Sequence, residues 1–281
     1  MSVQFPPSAA PRSAYPVDVL PATVRRRLLE LADAGRPLSA YVYDGDVAAG
    51  RARELRAALP DWAAVYYAVK ANSFPGVVEA LAPYVDGFEV ASVAELELAL
   101  HAGRCAGRCA GRHADRPADQ DAENLSAPVP VVAAGPAKSV PGIEPPAGVK
   151  VILEPGRFVV ADCGWYAAEV TDVKTSYGEL FAVLRGGINH FQLPTSWDIV
   201  HNMAVLPVEK WGEECPRPTA ENTRVTVVGE LCTSEDTLLR DVLIDRVRAG
   251  DLIVFPCAGS YGWEFAMHSF LGHPVAERHL L

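Results

Sequence analysis

Short β-prone runs alternate with helical segments through the first half of the chain, and this alternation constrains the fold more than any other feature. The runs that read as strands are "SAYVYDG", "VYYAVK", "GFEVAS", "VPVVAAG" and "VKVILEPG". Segments with helical patterning lie between the first four of them. Since parallel strands need long crossover connections, usually helices, the pattern predicts parallel βαβ units.

Two helices carry clear boundary signals. "PATVRRRLLELADAGRP" predicts a helix that opens with Pro21 and closes at Gly35. Ser92, with Glu95 three residues later, predicts a capping box for a helix through "VAELELALHAG" that ends at Gly103. Because capping explains Ser92 and Glu95, we assign neither a catalytic role.

The character of the chain changes near residue 166. "AAEVTDVKTSYGELFAVLRGG", "TRVTVVGELC" and "DLIVFPCAG" are β-rich and separated by turn signals. We therefore expect an α/β fold, a barrel-like (β/α) layer followed by an all-β domain. The predicted divisions are a leader and helix at 1–37, a shortened barrel-like domain at 38–165 and a C-terminal β-domain at 166–281.

Composition narrows the function. The 281 residues are 49% hydrophobic, enough for a sizeable core. A net charge of −10 argues against a nucleic-acid partner, which needs a basic face. The absence of a long apolar run argues against a membrane span, and the Pro- and Ser-rich start reads as a loose leader. Six cysteines without disulfide-domain spacing favour the cytoplasm.

Lys70 stands at the end of the apolar run "VYYAVKANS", where Asn72 and Ser73 read as the turn that ends a strand. A lysine in this position either extends its side chain to water or serves chemistry that needs an amine on a rigid element. An amine attacks only when it is neutral, and partial burial favours the neutral form. We therefore expect Lys70 to be partly desolvated.

Five segments occur in order: "YYAVKAN", "GFEVASVAELELAL", "EPGRFVVADCG", "GELCTSEDTL" and "AGSYGWEF". Together they resemble the pyridoxal-phosphate-dependent decarboxylases of ornithine, arginine and diaminopimelate, from about residue 38 to the end. The resemblance implies a TIM-type barrel with a C-terminal β-domain, pyridoxal 5'-phosphate as cofactor and a homodimer. "GGINHFQLP" and "MHSFLGHP" are closer to decarboxylases of siderophore and other secondary-metabolite pathways, some of which act on amino-acid conjugates.

The resemblance assigns roles to residues near the cofactor. Lys70 would form the Schiff base, and Glu154 would pair with the pyridine nitrogen so that the ring can accept electrons. Arg157 would position the phosphate, Tyr261 would contact the cofactor, and Glu89 matches an acidic residue beside it. Read alone, Glu154 is also compatible with a strand-end carboxylate and Arg157 with a surface arginine. Tyr261 is likewise compatible with a packing tyrosine, and Glu89 with a solvated strand glutamate.

Cys232 matches a cysteine that in the family reaches the partner subunit's active site and acts as an acid; a buried structural cysteine is the alternative. The family usually has an acidic residue directly after this cysteine, and Thr233 stands there instead. Asp236 is the nearest carboxylate and a candidate substrate contact, or else a loop or capping aspartate. His190, His268 and His273 read as loop or packing residues.

Residues 102–113 contain the tandem repeat AGRC-AGRC-AGRH. Cys105, Cys109 and His113 would share one helix face, but three ligands in a low-complexity repeat make a weak metal site. We expect a solvated linker or a helix extension there and assign no metal.

The barrel is shortened. Glu154 follows Lys70 by about 84 residues, which hold about three βα units, whereas the family places six strands between the two residues. No counterpart of the histidine that stacks on the cofactor ring is found. No Gly-rich loop that could cradle the cofactor phosphate follows a barrel strand. The nearest glycine pair, in "RGGIN", lies in the β-domain. The middle four barrel strands are thus expected to be missing, with the junction near residues 140–150.

The leading hypothesis is decarboxylation of an amino acid or amino-acid conjugate that depends on pyridoxal phosphate. The main alternative is a catalytically impaired relative that acts as a binding or regulatory partner. A pyridoxal-phosphate racemase and a barrel-only cofactor carrier are weaker options, because neither explains the "GELCTSEDTL" segment.

Overall fold

The computed structural model describes residues 13–34, 38–109, 131–133, 151–196, 202–212 and 214–281. Its helices are α1 (Ala22–Asp33), α2 (Gly45–Ala58), α3 (Pro75–Leu81), α4 (Val93–Cys109), α5 (Arg157–Val160) and α6 (Leu193–Ser196). Its strands are β1 (Ser39–Tyr43), β2 (Ala63–Ala68), β3 (Gly87–Glu89), β4 (Val131–Ala133), β5 (Val151–Leu153), β6 (Gly164–Ser176), β7 (Glu179–Leu184), β8 (Ala204–Leu206), β9 (Thr219–Val228), β10 (Thr237–Arg248), β11 (Leu252–Phe255) and β12 (Glu277–Leu280). The predicted alternation of strands and helices, followed by a β-rich half, is confirmed.

Four strands form a parallel sheet in the order β3-β2-β5-β4. Helix α3 packs between α2 and α4, as expected for crossover helices. The strand that resembled the family's third, β4, pairs directly with β5, which resembled its last. The predicted partial barrel is therefore confirmed as a parallel sheet of four strands within the described residues.

The larger sheet has eight strands and holds β1 as well as the C-terminal strands. Strand β1 pairs antiparallel with β6 and parallel with β12. The main strand order is β10-β9-β7-β6-β1-β12, and β11 adds to β6 and to β8. Strand β1, from the segment predicted as barrel-like, thus lies in the same sheet as the C-terminal strands. The predicted domain boundaries stay predictions.

Strand β1 explains how the larger sheet is covered on both faces. Alternate side chains of a strand point to opposite faces. Ala40 and Val42 enter a core with the apolar face of α1, whereas Tyr41 and Tyr43 enter the main core. Burying an α1 side chain such as Leu28 stabilises the fold by about 2 kcal/mol. The main core continues without interruption into β2 and α3, so the two sheets share it.

One predicted helix end differs in the structure. Pro21 does precede α1, while the predicted end at Gly35 lies outside the described residues. Helix α4 does not stop at Gly103 but continues to Cys109. Gly103 is not among the glycines with a positive φ, so it does not form the left-handed turn that ends many helices. The helix extension predicted for the AGRC repeat is confirmed as far as Cys109, and residues 110–113 lie outside the described residues.

The turn after β2 is fastened to the C-terminal part of the chain. Asn72 is fully buried; its Nδ2 donates to the Gly259 carbonyl at 2.8 Å, and its Oδ1 accepts from the Phe74 amide at 2.9 Å. The Tyr261 amide donates to the Ala71 carbonyl at 2.7 Å. One buried amide side chain therefore ties the parallel sheet to the segment that follows β11.

We predict that Asn72→Ala lowers the free energy of unfolding by about 2 kcal/mol or more, because it leaves the Gly259 carbonyl and the Phe74 amide buried without partners. Equilibrium urea unfolding measures this change. Asn202→Ala is the control, since the Asn202 side chain bonds Ser13 and Met203 nearer the surface, where water can replace it. Equal losses in the two variants would contradict the prediction.

Candidate active site

Lys70 lies just past the C-terminal end of β2, in a short 3-10 turn over Val69–Ala71. The neighbouring residues Val69 and Ala71 are buried, so the backbone around Lys70 is held while its side chain projects outward. This placement, an amine at the carboxyl end of a parallel strand on a fixed turn, agrees with the sequence prediction.

Glu89 meets Lys70 from the end of β3. The strand register pairs Ala68 with Glu89, and the Lys70 Nζ lies 2.9 Å from the Glu89 Oε2. This contact is the largest cause that raises the pKa of Lys70, ahead of the lowering by burial and of the smaller raising by Tyr261 and Glu154. The Lys70 side chain is 47% exposed. The amine is therefore partly desolvated, whereas Glu89 stabilises its ammonium form rather than the neutral form.

Tyr261 and Arg157 join this group. The Arg157 guanidinium carbon lies 5.2 Å from the centre of the Tyr261 ring, within cation–π range. Gly156 permits this packing, since a Cβ there would lie 2.9 Å from the Ala71 Cβ and 3.2 Å from the Tyr261 hydroxyl. Tyr261 itself has a φ of +57°, a left-handed conformation that is uncommon for a non-glycine residue and is often found at functional sites.

A cleft of about 610 Å³ opens beside Lys70, in the size range of small-molecule sites. We call it the Lys70 cleft; besides Lys70, its polar and aromatic lining includes Ser73, Tyr261, Trp263, Glu264 and His268. Ser92 and Glu95 also line it, but their hydrogen bonds cap α4, as predicted.

Glu264 also lines the Lys70 cleft, although no role for it was predicted from the sequence. Its Oε1 accepts hydrogen bonds from the Ser73 amide at 2.7 Å and from the Ser73 hydroxyl at 3.2 Å. Its Oε2 is buried and has no hydrogen-bond partner among the residues that the structure describes. Burial raises the pKa of this carboxyl. Its place inside "AGSYGWEF" is the one sequence signal that pointed to this segment.

The histidines play different parts. The His268 ring packs at a tilt against Trp263, and its Nε2 lies 2.7 Å from the Trp263 carbonyl, so His268 is a packing residue in the lining of the Lys70 cleft. His190 is buried between Ser39 and the Pro274 carbonyl, and burial lowers its pKa. His273 contacts Glu230. The expectation of packing roles is confirmed for His190.

Glu154 lies in a second cleft of about 580 Å³ with Arg157 and Phe158. The register explains why: Val65 pairs with Leu153, so Glu154 is level with Tyr66, four residues before Lys70. At about 3.3 Å per residue, an extended strand would separate the two positions by up to about 13 Å. The charge of Glu154 therefore helps to raise the pKa of Lys70, but Glu154 lies in a different cleft.

Cys232 is exposed in the loop between β9 and β10 and is not among the residues that line the Lys70 cleft in the described part of the chain. The alternative of a buried structural cysteine is therefore wrong.

Asp236 differs from its prediction. It is 2% exposed, and its two carboxylate oxygens accept hydrogen bonds from the Ile188 and Leu231 amides, both at 2.8 Å. The carboxylate holds two loops of the β-domain together, and burial raises its pKa. A buried side chain with both oxygens occupied is not accessible to a substrate, so the predicted contact is wrong.

A family model described as the C-terminal sheet domain of pyridoxal-dependent decarboxylases matches residues 40–259. This match covers more than half of the chain and includes Lys70, Glu89, Glu154, Arg157 and Cys232.

The chain belongs to the pyridoxal-dependent ornithine/diaminopimelate/arginine decarboxylase family. The predicted resemblance is confirmed. Enzymes of this family are carboxy-lyases that use pyridoxal phosphate.

Curated relatives match part of this chain. It is 40% identical over 129 residues to the 2-[(L-alanin-3-ylcarbamoyl)methyl]-2-hydroxybutanedioate decarboxylase of Staphylococcus aureus, covering 46% of this chain and 32% of the relative. It is 37% identical over 128 residues to the L-glutamyl-[BtrI acyl-carrier protein] decarboxylase of Niallia circulans, covering 44% and 29%. The chain therefore matches about a third of the length of these relatives.

Solved structures show the same fold. The lysine/ornithine decarboxylase of Vibrio vulnificus aligns with a TM-score of 0.69 at 17% identity, covering 93% of this chain and 99% of that one. The arginine decarboxylase of Paramecium bursaria Chlorella virus aligns with a TM-score of 0.70 at 13% identity, covering 92% and 100%. At these identities the likeness concerns the fold alone.

Two other kinds of site are absent from the described residues. Among these residues, no helix has both the length and the apolar character that a membrane crossing requires. The same residues contain no cluster of three or more His, Cys, Asp or Glu side chains arranged for a metal ion. The side chains of Cys105, Cys109 and His113 lie outside the description.

We predict that Glu89→Gln lowers the pKa of Lys70, because it removes the charge that stabilises the ammonium. At mildly alkaline pH, acetylation of Lys70 should then speed up by about two- to fivefold, as expected for loss of a partly exposed ion pair. Peptide mass spectrometry measures the rate, with exposed Lys174 as internal reference. A rate unchanged from the wild type would contradict the prediction.

We predict that Glu264→Gln changes how stability depends on pH. The folded-state pKa of Glu264 is raised, so its stabilising contribution is present below the ordinary value of 4.5 and is lost as the pH rises through the folded-state pKa. The stability of Glu264→Gln relative to the wild type should therefore increase with pH across that window. Urea unfolding at several pH values measures this. Glu97→Gln, at an exposed position on α4, is the control, and equal slopes at both positions would contradict the prediction.

Proposed function

We propose that the chain decarboxylates an amino acid or an amino-acid conjugate with pyridoxal phosphate held by Lys70. The observation that carries this proposal is the position of Lys70: an amine at a parallel strand end, contacting Glu89, beside a cleft large enough for a small molecule. Both relatives named above act, by their names, on an amino-acid unit joined to a larger acid or carrier. The siderophore pathway, the homodimer and the cytoplasmic location belong to this proposal.

The residues present fit the cofactor at the Lys70 end. When bound, pyridoxal phosphate supplies an electron sink for the electron pair left by departing CO₂. Lys70 must lose a proton before its amine can bond to it, and Glu89 at 2.9 Å is placed to accept that proton. Tyr261 offers an aromatic face and Arg157 a cation for an anionic group.

The assignments of Glu154 and Cys232 concern residues that lie outside the Lys70 cleft. Glu154 would meet the pyridine nitrogen from the adjacent cleft, across the turn that carries Gly156. Cys232 would act as an acid at the site of a partner subunit, which agrees with its exposure.

One observation favours the alternative, a catalytically impaired relative that acts as a binding or regulatory partner. Lys70 and Glu154 line different clefts, so the amine and the carboxylate that would hold the cofactor do not share one cleft. Such a relative would retain the fold and the surface around Lys70 without binding the cofactor.

Titration with pyridoxal phosphate separates these two functions. We expect a visible absorbance band in the wild type that disappears in Lys70→Ala, because the amine that bonds to the cofactor is removed. Lys174→Ala is the control, since Lys174 is exposed on β6 away from the Lys70 cleft, and it should keep the band.

Absence of the band in the wild type, or a band that persists in Lys70→Ala, would contradict the proposal. The first result would favour the impaired relative. CO₂ release from candidate amino-acid conjugates then tests the reaction itself in any preparation that shows the band.

A further inference from the structure

Glu264 connects the segment after β11 to the turn that carries Lys70. Its Oε1 accepts both the amide and the hydroxyl hydrogen of Ser73, at 2.7 and 3.2 Å. Ser73 comes three residues after Lys70. The carboxyl therefore fastens the end of the Lys70 turn from a part of the chain that is 191 residues away in sequence.

The turn has two other attachments to the same segment. The Ala71 carbonyl accepts from the Tyr261 amide, and the Asn72 side chain donates to the Gly259 carbonyl. Both lie on the β2 side of Ser73. Without the Glu264 contact, the hydrogen bonds from this segment would stop at Asn72, and the start of α3 would be held only by packing such as that of Phe74 against Arg278 and Tyr43.

The contact between Lys70 and Glu89 depends on the position of this turn. The Lys70 side chain is long and 47% exposed, so the contact orders several torsions that water would otherwise leave free. An ion pair between partly exposed groups is weak, and a small displacement of either backbone weakens it further. A fixed turn is thus a condition for the 2.9 Å separation.

We propose that Glu264 is a positioning residue for Lys70: by binding Ser73 it holds the turn so that the Lys70 amine stays beside Glu89 in the Lys70 cleft. This inference rests on the proposed function, in which that amine holds the cofactor. Glu264 need not contact substrate or cofactor for this role. A glutamine would preserve the positioning, since its carbonyl oxygen can accept the same two hydrogen bonds.

Acetylation of the full chain without cofactor tests the proposal. The measured quantity is the ratio of acetylation rates at Lys70 and at exposed Lys174, read from peptides by mass spectrometry at mildly alkaline pH. In Glu264→Ala the turn is released and Lys70 loses Glu89, so we expect the ratio to rise about two- to fivefold. Glu264→Gln should keep the wild-type ratio.

Glu95→Ala is the matched control. Glu95 lines the same cleft, but its carboxylate bonds the Ala91 amide and does not touch the Lys70 turn. If the ratio rises equally in Glu95→Ala, the loss of a negative charge from the cleft explains the effect and positioning by Glu264 is wrong.

An unchanged ratio in Glu264→Ala would overturn the proposal even if the variant is less stable, because a merely structural role lowers stability without changing Lys70 selectively. If Glu264→Ala does not fold, Glu264→Asp carries the same test, since its carboxyl is one methylene short of Ser73. The assay contains no cofactor, so a raised ratio without an absorbance band in the titration would reject the proposed function alone. A band with an unchanged ratio would reject the positioning role alone.

Discussion

The buried amide of Asn72 is the constraint on which the rest of the site depends. A buried polar side chain must find partners, and Asn72 finds them both in its own turn and in the Gly259 carbonyl. This pairing fixes where the segment after β11 meets the parallel sheet. Tyr261 and Glu264 then reach the Lys70 turn because they follow Gly259 directly. The β-domain therefore builds one wall of the Lys70 cleft, and the site does not belong to the parallel sheet alone.

Strand register determines the charge state at the centre of this site. Pairing of Ala68 with Glu89 brings a carboxylate to the level at which Lys70 emerges from its turn. The same carboxylate that raises the pKa of Lys70 is the nearest acceptor for its proton. In the proposed function this ammonium must lose a proton before it can act, and the ion pair with Glu89 opposes that loss.

Local signals in the sequence predicted the positions of Lys70 and Tyr261 because each lies in a segment whose pattern is complete within a few residues. Glu264 could not be predicted in the same way, since its partner Ser73 is 191 residues distant and nothing near either residue indicates the pairing. Asp236 was misassigned for a related reason: burial depends on two loops that close over it, and a loop aspartate in sequence reads as exposed. Gly103 was read as a helix end, although a glycine is tolerated within a helix at a cost of about 1 kcal/mol.

The unequal lengths of β2 and β5 account for the separation of Lys70 from Glu154. Strand β5 ends at Leu153, opposite Val65, whereas β2 continues to Ala68 before the turn begins. Glu154 therefore leaves the sheet beside Tyr66, before the point at which Lys70 follows β2. Gly156, two residues later, packs against Ala71 in the Lys70 turn. Arg157 still reaches the Tyr261 ring. The carboxylate of Glu154 acts on Lys70 through its field, since it contributes to the raised pKa without contact. The two clefts are thus linked by the contact between Arg157 and Tyr261, by the packing of Gly156 against the Lys70 turn and by the charge of Glu154.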